Sequence, residues 1–62
     1  MAATAYDMGR SDYMLGKSMS DNRFKAAHPA YRMWERGWVD AVRADPLIDA
    51  DERAALLGEE IS

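Results

Sequence analysis

The sequence predicts an all-α fold of two amphipathic helices joined by a linker, over about 3–19 and 29–44, plus a short C-terminal helix over about 50–57. Three observations carry this: two long stretches with apolar residues at helical spacing, a break of small polar residues between them, and an Asp-Pro pair that ends the second. The chain has 62 residues and no cysteine. A domain of this size buries only about 60% of the surface its unfolded chain exposes. Below roughly 70–80 residues such chains rely on a staple, namely disulfides, a metal, a partner or tightly packed helices. Without cysteine, disulfides and thiolate metal sites are excluded, and one histidine cannot by itself build a metal site. Helix packing or a partner remains.

In the first helix, one half of the helical wheel holds Ala2, Ala5, Tyr6, Met8, Gly9, Tyr13, Leu15, Gly16 and Met19, interrupted only by Asp12. The other half holds Thr4, Asp7, Arg10, Ser11, Lys17 and Ser18, with Met14 as its apolar exception. Gly9 and Gly16 lie on the apolar face. Each costs roughly 1 kcal/mol of helix propensity relative to alanine, so close approach of a second helix is expected at both, with Tyr6 and Tyr13 flanking the notch. The run Ser18 to Asn22 is expected to end the helix, because its short polar side chains compete for the backbone.

The second helix is expected to open at Pro29, a residue suited to a first helical position. Ala30, Tyr31, Met33, Trp34, Gly37, Trp38, Ala41, Val42 and Ala44 share one face, and Arg32, Arg36 and Arg43 cluster on the other beside Glu35 and Asp40. Two tryptophans and a tyrosine on one stripe supply most of a core for so small a chain. The expected structural core is therefore Tyr6, Gly9, Tyr13, Gly16, Tyr31, Trp34, Gly37, Trp38 and Ala41. Asp45-Pro46 stops the helix, since a residue before proline is pushed out of the helical region.

The short third helix, about 50–57, has Asp49 as its expected N-cap, Glu52 as the returning side chain of a capping box and Gly58 as its stop. Leu56 and Leu57 are its buried candidates, with Leu47 and Ile48 packing at its entrance, and 59–62 is expected to fray. The organisation is thus a helical hairpin over 1–45 and an acidic extension over 46–62.

The net charge of −3 conceals an asymmetry. Residues 1–38 carry six basic and four acidic side chains, whereas 39–62 carry two basic and seven acidic ones. Such a split suits a basic working surface with an acidic tail, and it also lies within the fluctuation of a short chain. No apolar run approaches the roughly 20 residues that span a bilayer, and no signal-peptide core follows Met1. A cytoplasmic protein without a membrane partner is the expectation.

The sequence offers little for catalysis. His28 has no cysteine to serve and adjoins Pro29 at a helix entrance; no strand precedes Gly9 or Gly16 as a phosphate loop requires. Asp49, Asp51 and Glu52 lack the central glycine and distal glutamate of a calcium loop. No enzyme, cofactor or metal is expected. The basic–aromatic elements say more. Arg10, Lys17, Arg23, Lys25, Arg32, Arg36 and Arg43 can neutralise phosphates, and an exposed Phe24 or Tyr31 can stack on an unpaired base. The competing reading is a solvated helix face on which Glu35 and Asp40 partly cancel the arginines.

Trp34-Glu35-Arg36-Gly37-Trp38, with Ala41 three residues on, resembles the tryptophan–x–x–glycine–tryptophan–x–x–alanine signature of the ribosome modulation factor family. Upstream, Ala5, Gly9, Gly16, Lys17 and Ser18 fit that family's alanine–x3–glycine–x6–glycine–basic–serine pattern without a gap. The likeness runs from Ala5 to about Asp45. Asn22-Arg23-Phe24 keeps the aromatic of the family's turn but not its proline, and the chain is acidic where the family is basic.

The resemblance implies a two-helix protein that binds the small ribosomal subunit, near the 3′ end of its RNA and among neighbouring proteins, and promotes inactive, hibernating ribosomes without turnover. Gly9, Gly16, Trp34, Gly37 and Trp38 would be scaffold, and Lys17 an RNA contact. Two alternatives stay open. One is a small acidic interaction module or inhibitor, of the kind phages and mobile elements encode, that binds a non-ribosomal protein through 46–62. The other is a helical homodimer.

Overall fold

A computed structural model describes residues 3–58, which form three α-helices, α1 (Ala5–Met14), α2 (Ala30–Ala44) and α3 (Ala50–Leu57), with a single 3-10 turn over Met19–Asp21 and no strand among the described residues. The expected fraying of 59–62 lies outside those residues, as does the expected place of Ala2 on the apolar face.

Helix α1 starts on a capping box. Thr4 Oγ1 accepts the Asp7 backbone N–H at 3.1 Å, and Asp7 Oδ2 accepts the Thr4 N–H at 3.4 Å. This satisfies two of the donors that a helix start leaves orphaned. The helix ends five residues earlier than the wheel suggests. Gly16 takes φ +85°, the Gly16 N–H donates to the Tyr13 carbonyl and the Lys17 N–H to the Asp12 carbonyl, both at 3.0 Å. That pair of bonds is a Schellman stop, which needs a left-handed residue at its centre. Gly16 is therefore a terminator, exposed and with nothing near the place of a side chain, and not part of a helix notch. Leu15, beyond the last helical residue, is swung out to 73% exposure, where a continued helix would have buried it.

The notch lies elsewhere. A methyl group on Gly9 would overlap the Trp34 carbonyl and crowd the Trp38 N–H, and one on Gly37 would overlap the Tyr6 carbonyl. Each helix thus presents a glycine to the other's backbone. Gly37, inside the tryptophan signature, does what the spacing assigns to Gly16.

Helix α2 buries Trp34, Gly37, Trp38, Ala41 and Val42, the i, i+3, i+4, i+7, i+8 stripe of a core-facing helix. Trp34, Trp38 and Val42 form the centre, with Met8, Tyr13, Phe24, Ile48, Leu56 and Leu57 packed around it. Pro29 is the cap residue just before the helix and not its first residue, a shift of one position. Met33 and Ala44, expected on the buried face, are exposed. Asp45 leaves the helical region at ψ 115°, ahead of Pro46.

Helix α3 opens on Asp49, whose Oδ1 accepts the Glu52 N–H at 2.7 Å, but the returning bond from the Glu52 side chain is not made. Gly58, at φ 70°, closes it. Arg53 ties the helix to the end of α2: its guanidinium donates to the carbonyls of Asp45 at 3.0 Å, Ile48 at 3.4 Å and Val42 at 3.5 Å. A cation on the last carbonyls of a helix satisfies orphan acceptors and suits the negative end of its dipole. Ile48 packs on the core as expected, whereas Leu47 is 90% exposed.

Candidate partner-binding surface

The basic residues fall into two groups, set apart by what holds them. Arg32 and Arg36, one turn apart on α2, are exposed, and Arg43 continues their line along the helix. Lys25, in the linker, is exposed as well. Arg10 is exposed on α1, but Lys17 lies past the Gly16 stop, so the two do not form the expected stripe along one helix.

Arg23 belongs to the second group. Its Nη2 donates to Asp12 Oδ1 at 2.7 Å and its Nε to Asp12 Oδ2 at 3.1 Å, a two-pronged bond to a fully buried carboxylate. Asp12 Oδ2 also accepts the Trp34 indole N–H at 2.8 Å. The guanidinium bond, helped by the indole, holds the Asp12 carboxyl below the usual carboxylate range against the opposing effect of burial. Arg23 is thus a structural counter-ion, and its planar fork is engaged on the protein itself. The aspartate that interrupts the apolar wheel of α1 is the residue that fastens the linker to both helices.

Asn22, Phe24 and His28 of the linker are fastened too. Asn22 Nδ2 donates to the Tyr31 carbonyl, and Asn22 Oδ1 accepts the Phe24 N–H, both at 3.0 Å. Phe24 is half-buried against the core and lies beside the His28 ring, 5.1 Å between centroids. His28 Nδ1 accepts the Ala30 N–H at 3.0 Å, a role at the helix entrance. Phe24 packs on the core and Tyr31 is half-buried, so neither is a freely presented stacking platform. Tyr31 and Tyr6, both expected in the core, are half-buried outside the cluster around Trp34 and Trp38.

Both flanking tyrosines reach across to carboxylates on or just past α2. Tyr6 Oη donates to Asp40 at 2.6 Å and Tyr13 Oη to Asp45 at 2.5 Å. The accepting carboxylate raises each hydroxyl's pKa; for Tyr13, with burial added, it is pushed up to about 12. Asp45 is lowered in return. Trp38, in edge contact with Tyr13 at 5.5 Å, donates its indole N–H to the Lys17 carbonyl at 2.9 Å. The sequence marks Asp12 as the one charge on an apolar face, Asp40 as a neighbour of the arginines and Asp45 as part of a helix stop, but it assigns none of them, nor Arg53, these bonds.

Between the end of α1 and the α2–α3 corner lies a hollow floored by Tyr13, Trp38, Ile48 and Leu56. Among the described residues no group of three or more His, Cys, Asp or Glu side chains is placed to hold a metal ion, and no helix is long and apolar enough to cross a membrane. No protein-family model, curated protein or solved structure matches the chain.

Proposed function

We propose that this chain is a non-catalytic, ribosome-associated factor of the ribosome modulation factor type, which binds the small subunit near its RNA and inactivates translation by occupancy. The observation that carries the reading is where the shared signature falls. Four residues of the resemblance, Gly9, Trp34, Gly37 and Trp38, make the helix crossing, which supports reading the pattern as a scaffold, whereas Gly16, Lys17 and Ser18 lie past the end of α1. That scaffold leaves Lys25, Arg32 and Arg36 on the outside, where they are available to phosphates. The chain's acidity keeps this contact local, with ribosomal proteins supplying part of the surface.

Co-sedimentation with bacterial small subunits tests it. The purified chain is expected in the pellet at moderate salt and is expected to leave it as salt rises. Recovery of the protein only in the top fractions at every salt concentration would rule the reading out.

A second reading, a protein-interaction module or inhibitor, is favoured by the exposed acidic first turn of α3, formed by Asp51 and Glu52 beside the Asp49 cap. Because α3 is docked through Arg53, Leu56 and Leu57, removing 46–62 would also strip packing from the core. Asp51→Lys is the cleaner probe: capture of a non-ribosomal protein that this change abolishes supports the second reading.

A further inference from the structure

We infer that the chain pairs with a second copy of itself through the hollow between the end of α1 and the α2–α3 corner. Two self-complementary features meet there. The first is shape and polarity. The hollow's floor is apolar, and at its rim Met14 and Leu47 stand 78% and 90% exposed. Large apolar side chains are rarely left out so fully side by side, and an unfilled apolar depression adjoins them. Knob and hole on one face is the arrangement that a two-fold axis satisfies, since each copy's rim enters the other's hollow.

The second feature is charge. Lys17 and Glu52 both line the hollow, the first just past α1 and the second on α3. Among the described residues neither forms a direct ion pair, although the Lys17 charge is felt by Asp12 and Asp21. A two-fold axis lying between the copies, parallel to this face and along the hollow, exchanges the walls and sets each lysine against the partner copy's glutamate. A nucleic acid does not suit the same face, because Asp45 and Glu52 lie in it and would repel phosphates. The glycine seam cannot serve for pairing, since Gly9 and Gly37 are closed against α2 and α1 of the same chain. Lys25, Arg32 and Arg36 do not line the hollow, so the pairing leaves the proposed phosphate-facing side free and shares with the ribosomal reading only Lys17. A contact confined to one hollow and its rim is expected at the small end of interface sizes, below about 1,200 Å² in total, and its pairing in the weak, micromolar to millimolar range.

Sedimentation equilibrium of the full chain, from about 10 µM to about 1 mM, reads it directly across that affinity range. The parent is expected to shift from monomer toward dimer. Leu47→Glu alters an exposed side chain outside the core, so the helical circular dichroism should persist while dimer affinity falls at least about tenfold. Lys17→Glu and Glu52→Lys should each weaken pairing by about tenfold, and the double variant should recover to near the parent. A parent that remains monomeric at the highest concentration overturns the inference. So does a dimer indifferent to Leu47→Glu, or a double variant no better than either single one.

Discussion

The buried Asp12 carboxylate receives the Trp34 indole N–H at 2.8 Å while the same carboxylate is gripped by Arg23 from the linker. One aspartate thereby joins α1, α2 and the segment between them. The two partners of the ion pair differ in exposure, 46% for the Arg23 side chain and 1% for Asp12. Removing the arginine therefore strands a buried charge, whereas removing the aspartate frees a cation that water can reach. Arg23→Ala is expected to destabilise the fold at neutral pH, because the buried carboxylate then keeps only the indole N–H as a side-chain partner. The loss should shrink in acid. In the parent, Asp12 has a folded pKa below its unfolded value, so its contribution is present above about pH 4 and is lost as pH falls through the lowered folded value. In the variant burial opposes ionisation of that carboxyl, and only the indole and the charge of Lys17 favour it. Urea titrations at pH 7 and pH 3 should show the gap between the two proteins closing, and a gap of constant size would place the arginine's role elsewhere.

Gly9 and Gly16 carry the same pattern position in the sequence and opposite jobs in the fold. At Gly9 a methyl group meets the Trp34 backbone, which cannot turn aside as a side chain would. Gly9→Ala should cost about 3 kcal/mol or more, an overpacking penalty large enough to unfold much of so small a domain. At Gly16 the space is open and only the positive φ matters. Gly16→Ala should cost about 1 kcal/mol, the left-handed penalty partly offset by a less flexible unfolded chain. Thermal melts followed by circular dichroism would separate them, and equal losses would contradict the crossing at Gly9.

The same two glycines mark where the sequence is legible. The Trp34, Trp38 and Val42 stripe, the Asp-Pro break, the Asp49 cap and the Gly58 stop could all be read, because each depends on local spacing or on one residue's backbone preference. The end of α1 could not. A glycine on an apolar wheel position serves equally as a notch or as a left-handed stop, and only the partner helix distinguishes them. That ambiguity carried Leu15 and Lys17 onto a helix that ends before them. The surface was less legible still. Arg23 and Arg36 are alike in the sequence, but a buried aspartate claims one and leaves the other exposed. Tertiary pairing of this kind leaves no periodic signal.

Tyr13 offers a spectroscopic check on the α1–α2 corner. Its neutral hydroxyl donates to Asp45, and the carboxylate with burial pushes its pKa up to about 12. The folded value lies above the unfolded one near 10. This bond therefore contributes fully below about pH 10 and is lost as pH rises through about 12. Tyrosinate absorbance should register Tyr13 as the latest to titrate, with Tyr6 also raised by Asp40, and Asp45→Asn should return Tyr13 toward 10. A parent in which every tyrosine ionises near 10 would mean the bond is not populated in solution.

Arg36 tests the outer face of α2 without touching the core. It is exposed, it lies inside the tryptophan signature, and its neighbours Trp34 and Trp38 hold the helix in place whatever its charge. Arg36→Glu should leave the stability within about 0.5 kcal/mol of the parent's, as surface changes away from packed features do. If the arginine neutralises a ribosomal phosphate, the variant should bind small subunits more weakly at every salt concentration. The slope of log affinity against log salt should also flatten by about one contact, since one fewer counterion is released. A parallel loss with an unchanged slope would mean that the substitution disturbs a protein contact instead. An unchanged affinity would remove this arginine from the interface and leave Lys25 and Arg32 to carry the RNA contact.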